Sequence, residues 1–128
     1  FKIVFLCRET FMFVLGDVDQ VRKTIESLLL DEEFQKLKKF SDTLTKELAE
    51  LVNNFENSMQ AKVLMAGGDD ILLFINKNNY NKKQHLEIIE NFTKKTNCTI
   101  SFGISDSIQV AYLNLRKAKA NNLSIFFS

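Results

Sequence analysis

The sequence predicts an α+β protein with a ferredoxin-like sheet. Strand-like and helix-like segments follow one another in the order β-α-(α)-β-β-α-β-α-β. The first six of these, taking the helical stretch as one, form the split βαβ pattern. The 128 residues include no proline, no Gly/Ser linker and no repeat, so one continuous domain is expected.

The first half of the chain predicts a strand and then a helical region. The apolar run 11–15 is typical of a buried strand, and Gly16, Asp17, Val18 and Asp19 follow it as a polar turn. Apolar residues then recur at helical spacing. They predict one long helix or a broken pair between about residues 20 and 57.

The second half predicts a hairpin, two helices and two further strands. Apolar segments 62–66 and 71–75 flank a turn of sequence Gly-Gly-Asp-Asp, a β-hairpin signal. After a loop at 76–83, Leu86, Ile89 and Phe92 mark a helix, on which His85 is expected to be exposed. Segment 99–104 is the fourth strand and 123–127 closes the chain as a fifth. Cys98 is expected in the core.

The helix between these last two strands is amphipathic. We expect Ser105 or Asp106 to cap it. Its predicted apolar face consists of Ile108, Ala111, Tyr112, Leu115 and Ala118.

Composition excludes several classes of function. Lys and Arg (17) nearly balance Asp and Glu (16), so no duplex nucleic acid is expected as a partner. Two cysteines and one histidine do not make a zinc site. No apolar run approaches the roughly 20 residues of a membrane span, and the apolar start lacks a basic leader and a cleavage site. We therefore expect a cytoplasmic protein without a membrane partner.

Two acidic clusters are expected to meet at one edge of the sheet. In the predicted topology the end of the first strand, with Asp17 and Asp19, lies beside the hairpin turn, with Asp69 and Asp70. Such carboxylates repel one another unless a cation lies among them, and Mg²⁺ prefers oxygen ligands shared with substrate phosphates. The carbonyl of Val18 is a further candidate ligand.

Each of these signals also has a purely structural interpretation. Gly67 and Gly68 leave backbone amides open to a phosphate, but Gly-Gly-Asp-Asp is also a favourable hairpin turn. The Asp-Val-Asp segment is equally typical of a helix N-cap. Lys119, near the end of the last helix, either binds phosphate or complements the helix dipole.

In combination these residues resemble a known group of proteins. A strand ending in Asp17-Val18-Asp19 and a hairpin bearing Gly67-Gly68-Asp69-Asp70 resemble the palm of GGDEF-type cyclases and of the large subunit of type III CRISPR effectors. The segments 101–105, 111–112 and 118–119 agree with this. The run 13–26 is most similar to the minimal CRISPR polymerase (mCpol) family, and the resemblance covers roughly residues 12–127.

The resemblance implies a role for each site residue. Asp17 and Asp69 would be ligands of Mg²⁺ or Mn²⁺, together with the Val18 carbonyl. The resemblance implies two such ions with the bound nucleoside triphosphate. Asp70 would be a second ligand or would activate the attacking hydroxyl. Gly67, Gly68, Ser101 and Lys119 would bind the nucleotide, with Lys119 on the triphosphate. Asp19 is either part of this set or a helix cap.

The resemblance further implies a function. The implied function is that of a nucleotidyltransferase, which would join NTPs, with ATP favoured, into a cyclic di- or oligonucleotide acting on a separate effector in anti-phage defence. Joining two nucleotides implies a homodimer whose sites face each other. The alternatives are a non-catalytic nucleotide sensor, a ligand-free interaction module and a diguanylate cyclase.

The sequence departs from its relatives in two respects. The Asn and Asp that read guanine in diguanylate cyclases have no clear counterpart, and the zinc finger and HD nuclease of the CRISPR subunit are missing. The predicted domain runs over 12–128. Residues 1–11 are predicted to be an N-terminal extension, either an extra strand or an artefact of gene prediction.

Overall fold

A computed structural model describes residues 10–128. Residues 1–9 of the predicted N-terminal extension lie outside the described residues. Nine elements follow one another in the order β1, α1, α2, β2, β3, α3, β4, α4 and β5. Their bounds are Phe11–Val18, Val21–Leu30, Phe34–Met59, Lys62–Gly67, Asp70–Asn76, Lys82–Thr96, Ile100–Ser105, Ile108–Ala120 and Ile125–Phe127. None of the helices in residues 10–128 is both long and apolar enough to cross a membrane.

The five strands form one mixed sheet in the order β2-β3-β1-β4-β5. The first four strands pair antiparallel throughout, and β5 joins β4 in parallel. The α+β, ferredoxin-like prediction with an additional C-terminal helix and strand is therefore confirmed.

Side chains alternate between the two faces of the sheet, and each face packs against different helices. On one face the even-numbered residues of β1 and β4 and the odd-numbered residues of β3 form the main core with α2 and α3. On the other face Phe13 and Phe74 pack with Ala111 of α4. This second face also carries Asp17 and Asp70, so α4 lies on the same side as the predicted acidic edge.

Helix α4 approaches the sheet closely because Gly103 lies beneath it. A Cβ at this position would collide with the backbone of α4 at the Ala111 carbonyl, and would lie 2.8 Å from Cα of Leu115. The missing side chain thus fixes how near α4, and with it Lys119, lies to β1 and β4.

The predicted helical region is a broken pair, which is one of the two alternatives that the sequence left open, and Glu32 between the helices takes a left-handed φ of 53°. The cap of α4 is Ser107, whose Oγ accepts a hydrogen bond from the N–H of Val110, and neither Ser105 nor Asp106 has this role. Ser105 is still within β4.

The apolar faces of the last two helices also differ from prediction. Leu86, Ile108 and Tyr112 are exposed, at 44%, 42% and 51% respectively. The buried positions of α4 are Ala111, Asn114, Leu115 and Ala118. Asn114 is tolerated in the interior because its amide donates to the Ile104 carbonyl and to the Ser128 hydroxyl.

His85 is buried, not exposed, and this prediction was wrong. Its ring packs edge-on against Phe102 and Phe55, with centroids 4.5 and 5.0 Å away. The Tyr80 hydroxyl hydrogen-bonds with Nδ1 at 2.7 Å, whereas Nε2 finds no partner among residues 10–128. Burial lowers the pKa of His85 to about 3, so the ring is neutral at ordinary pH. Cys98 lies in the core, as expected.

Candidate active site

The site begins with the pairing of three strands. Asp17 of β1 lies opposite Asp70 of β3 on one side and opposite Ser101 of β4 on the other. Residues that are paired across strands share a face of the sheet, so these three side chains lie in a row beneath the end of α4. The sequence predicted a polar turn after residue 15, but strand β1 runs to Val18. Asp17 therefore belongs to the strand.

The hairpin turn brings in the third carboxylate. Gly67 pairs with Asp70, which leaves Gly68 and Asp69 as the two turn residues. Gly68 has a φ of 63°, a conformation for which glycine is favoured at a tight hairpin turn. The Val18 N–H donates a 3.0 Å hydrogen bond to the Asp69 carbonyl, so the turn is fastened to the end of β1.

Asp17, Asp69 and Asp70 form what we call the carboxylate cluster. One oxygen from each lies within 4.8 Å of the others. The pKa of Asp70 is raised to about 7 by a hydrogen bond with Asp17, by burial and by the negative charges of Asp17 and Asp69. The raised pKa favours a proton between Asp70 and Asp17, where a bound cation would instead neutralise the carboxylates.

The donor set of the carboxylate cluster fits a hard divalent cation. Carboxylate oxygens are the ligands that Mg²⁺ and Mn²⁺ prefer, and three of them converge here. The side chain of Val18 is buried in the core, at 2% exposure, so this residue has only its main-chain oxygen to contribute. The predicted association of Asp17, Asp69 and Asp70 is thus present in the fold.

Asp19 lies apart from the carboxylate cluster and binds different partners. Its Oδ2 accepts hydrogen bonds from the Thr99 hydroxyl at 2.7 Å and the Ser101 hydroxyl at 3.1 Å. It does not cap α1, since Gln20 is the N-cap and no side chain caps that end. Asp19 therefore neither belongs to the carboxylate cluster nor caps a helix.

Lys119 joins the two acidic groups. Its Nζ lies 2.9 Å from Oδ2 of Asp17 and 2.5 Å from Oδ1 of Asp19. Burial alone would lower the pKa of Lys119, but the hydrogen bonds to Asp19 and Asp17 outweigh it and raise the pKa. The ammonium is charged at ordinary pH and forms ion pairs with both Asp17 and Asp19.

Thr99 is the site residue that the sequence reading missed. It lies just before β4, and its hydroxyl faces Asp19 together with that of Ser101. The signal was present in the alternation of polar residues 99 and 101 with apolar residues 100 and 102. Ser101 is 4% exposed and reaches Asp19 directly.

A cleft of about 510 Å³ opens beside the hairpin turn, between α1 and α2. We call it the α1–α2 cleft. Gly68 and Asp69 form its end next to the carboxylate cluster, and its walls combine apolar and polar side chains. The wall residues are Val21, Arg22, Ile25, Glu26, Phe40, Ser41, Leu44 and Thr45.

The fold and the site together define a palm of the nucleotide-cyclase type: a ferredoxin-like sheet with carboxylates at the end of β1 and in the β2–β3 turn. The family described as the minimal CRISPR polymerase domain, mCpol, matches residues 13–126. The chain belongs to this family.

Solved structures share this fold. A Csm1–Csm4 cassette in complex with cA4 contains a chain that matches with a TM-score of 0.68 and 17% identity over 94% of this chain. The active GGEEF domain of a diguanylate cyclase from Vibrio cholerae matches with a TM-score of 0.61 and 13% identity, over 97% of this chain and 88% of that one. A further Csm1–Csm4 cassette was solved in complex with one ATP, and matches with a TM-score of 0.64 and 17% identity.

The extent of these matches differs. The chain spans 21% of the length of the Csm1–Csm4 chain that it resembles. No curated protein matches the sequence.

Proposed function

We propose that this protein is a metal-dependent nucleotidyltransferase that joins nucleoside triphosphates, ATP being favoured, into a cyclic di- or oligonucleotide. The observation that carries the proposal is the convergence of Asp17, Asp69 and Asp70 beside Lys119 at the glycine turn. Family membership and the nucleotide-bound relatives support the same class of substrate.

The carboxylate cluster would hold the divalent ion. Asp17 and Asp69 are the proposed ligands, with the main-chain oxygen of Val18, and Asp70 is a second ligand or accepts the proton of the attacking hydroxyl. When bound, such an ion lowers the pKa of a coordinated hydroxyl and neutralises charge on the leaving pyrophosphate. Once Asp70 has lost its proton, four carboxylates, counting Asp19, lie around the Lys119 ammonium, and a divalent ion would offset the excess of three negative charges.

Lys119 and the glycine turn would hold the triphosphate. The Lys119 ammonium already lies at the rim of the carboxylate cluster, 2.9 Å from Asp17. A Cβ at Gly67 or Gly68 would meet no atom within 4 Å, so the space over the turn is open to a phosphate approaching the amides. Ser101 would contribute to nucleotide binding indirectly, through the hydrogen bond that its hydroxyl donates to Asp19.

The α1–α2 cleft would hold the nucleobase. It begins at Gly68 and Asp69, so a nucleotide with its phosphates on the carboxylate cluster directs its base toward this cleft. The apolar wall suits the base faces, and Arg22, Glu26, Ser41 and Thr45 supply hydrogen-bonding groups for its edge.

The proposed reaction is attack by a ribose hydroxyl on the α-phosphorus of the neighbouring triphosphate. A bond forms between the hydroxyl oxygen and the α-phosphorus, and the bond from that phosphorus to the bridging β-oxygen breaks. Pyrophosphate leaves, and the hydroxyl proton passes to Asp70 or to water. One palm holds one triphosphate, so we propose a homodimer in which two palms present their nucleotides to each other.

Incubation with each of the four NTPs, singly and mixed, in Mg²⁺ or Mn²⁺ tests the proposal. We expect pyrophosphate release and a cyclic adenine nucleotide by mass spectrometry, lost in Asp69→Asn and kept in the exposed control Asp106→Asn. Nucleotide binding without any product would instead favour a non-catalytic sensor. A guanine product alone would favour a diguanylate cyclase.

A role in anti-phage defence is part of the same proposal, with the product acting on a separate effector. Family membership supports it. Phage challenge of cells that carry the wild-type gene with its neighbours, or the same locus with Asp69→Asn, tests it. Equal plaque counts would contradict this role and leave the chemistry untouched.

A further inference from the structure

The carboxylate of Asp19 is fully engaged by groups outside the carboxylate cluster. Its Oδ1 accepts from Lys119 at 2.5 Å, and its Oδ2 accepts from Thr99 at 2.7 Å and from Ser101 at 3.1 Å. The carboxylate cluster of Asp17, Asp69 and Asp70, which could hold a metal ion, does not include it. Asp19 is thus poorly placed to bind metal and well placed to bind Lys119.

Asp19 is itself held rigidly. Its main-chain N–H donates a 2.9 Å hydrogen bond to the Thr99 carbonyl, so both its backbone and its side chain are tied to the start of β4. Ser101, the second anchor, is 4% exposed and lies in that strand. Lys119, by contrast, extends from the last turn of α4 on a flexible side chain that loses conformational freedom whenever it is localised.

We infer that Asp19 is a positioning residue that holds the Lys119 ammonium beside the carboxylate cluster, ready for a triphosphate. This inference rests on the proposed function. Lys119 is shared between Asp17 and Asp19, and a cation on Asp17 would compete with the ammonium for that carboxylate. Asp19 would then be the partner that keeps Lys119 at the rim, with Thr99 and Ser101 keeping Asp19 in place.

Removal of Asp19 has two effects of opposite sign. It frees Lys119, which weakens triphosphate binding, and it removes a negative charge, which strengthens binding of any anion nearby. A double-mutant cycle separates them, because the first effect requires Lys119 and the second does not.

The test measures binding of a non-hydrolysable ATP analogue by calorimetry, in Mg²⁺, for wild type, Asp19→Asn, Lys119→Ala and the double variant. Asp19→Asn is isosteric and keeps an oxygen acceptor for Thr99 and Ser101, and Asp31→Asn is the exposed control of equal charge. We expect Asp19→Asn to weaken binding by roughly three- to thirtyfold in the presence of Lys119. In the Lys119→Ala background the same change should have no effect or should tighten binding.

Two further readouts distinguish positioning from a general structural role. Brief acetylation of the ligand-free protein should modify Lys119 several times faster in Asp19→Asn than in wild type, while Lys62 on the sheet edge reacts equally in both. In turnover, Asp19→Asn should raise KM more than it lowers kcat.

The outcomes are separable from those of the proposed function. If Lys119→Ala weakens binding and Asp19→Asn does not, or if Asp19→Asn weakens it equally with and without Lys119, the positioning role is wrong and the nucleotidyltransferase stands. If the wild type binds no triphosphate, the proposed function is wrong and the inference falls with it. If Asp19→Asn abolishes Mn²⁺ binding in the absence of nucleotide, Asp19 is a metal ligand and the inference is again overturned.

Discussion

Asp17 lies between groups of opposite character, with Asp70 across one strand pair and Lys119 above it. The carboxylates raise the pKa of Asp70, and the ammonium opposes that shift. At the scale of single residues, the negative charge of the carboxylates therefore exceeds the positive charge of Lys119, and a bound divalent ion would neutralise the excess.

Metal binding should depend on Asp69. Asp69→Asn removes the charge of one of the three converging carboxylates that are proposed to bind the ion, and we expect Mn²⁺ affinity in the presence of nucleotide to fall by at least tenfold, as measured by calorimetry. Asp106→Asn, an exposed change of the same kind, should have no effect. Unchanged affinity in Asp69→Asn would return the Gly-Gly-Asp-Asp segment to the role of a simple turn.

Charge removal from the carboxylate cluster should stabilise the metal-free fold. Asp70→Asn should raise Tm by roughly 2–5 °C at pH 8 with a chelator present, because function opposes stability at such sites. The gain should shrink below about pH 6, where the folded protein already carries a proton on Asp70, whose pKa is about 7. A fall in Tm at pH 8, or a gain equal to that of Asp31→Asn, would contradict this expectation.

At the scale of elements, the contact between α4 and β4 places Lys119. Gly103→Ala puts a Cβ against the backbone of α4. The atoms that it meets are main-chain atoms, which cannot rotate aside as the end of a side chain can. We expect a loss of about 3 kcal/mol or more in chemical denaturation. Gly67→Ala is the matched control, since its Cβ would meet nothing within 4 Å and its free energy of unfolding should change by less than about 1 kcal/mol.

The ring of His85, which extends from α3 and packs against α2 and β4, should make stability depend on pH. Its pKa is about 3 in the fold and about 6.5 when unfolded, so below pH 6.5 the unfolded chain binds more protons. Stability should therefore fall as pH falls from 6.5 toward 3. The loss between pH 6.5 and pH 5 should be about 2 kcal/mol.

Asp70 titrates with the opposite sign, because its pKa is higher in the fold than in the unfolded chain. The measurement is therefore made by urea denaturation in the Asp70→Asn background, which isolates His85. Addition of His85→Phe to that background should abolish the slope between pH 6.5 and 5. A slope that persists would mean that another group is responsible.

At the scale of the whole molecule, the proposed chemistry requires two palms. Specific activity should fall on dilution through the range in which sedimentation shows dimer giving way to monomer, because a single palm cannot present two nucleotides to each other. Constant activity per chain across that range would show that one palm is sufficient.

The order of elements and the acidic edge were readable from the sequence because both depend on local patterns. Short continuous apolar runs mark β1 and β3, and an alternating segment marks β4. The split βαβ order then brings Asp17 beside Asp69 and Asp70. The break at Glu32 was not resolved, since no glycine or proline marks it and a left-handed residue of another type carries no strong sequence signal.

By itself, the sequence determined the ferredoxin-like fold, the mCpol resemblance and the meeting of the three carboxylates, because periodicity and chain order decide strand pairing. Only the tertiary structure decided which face of each helix is buried and which partner each polar group takes. His85 is buried because Phe55 and Phe102 enclose it, and Asp19 binds Thr99, Ser101 and Lys119 because β4 and α4 meet there. Those partners are about 80 to 100 residues distant in the chain, and such contacts arise from packing that local sequence patterns do not encode.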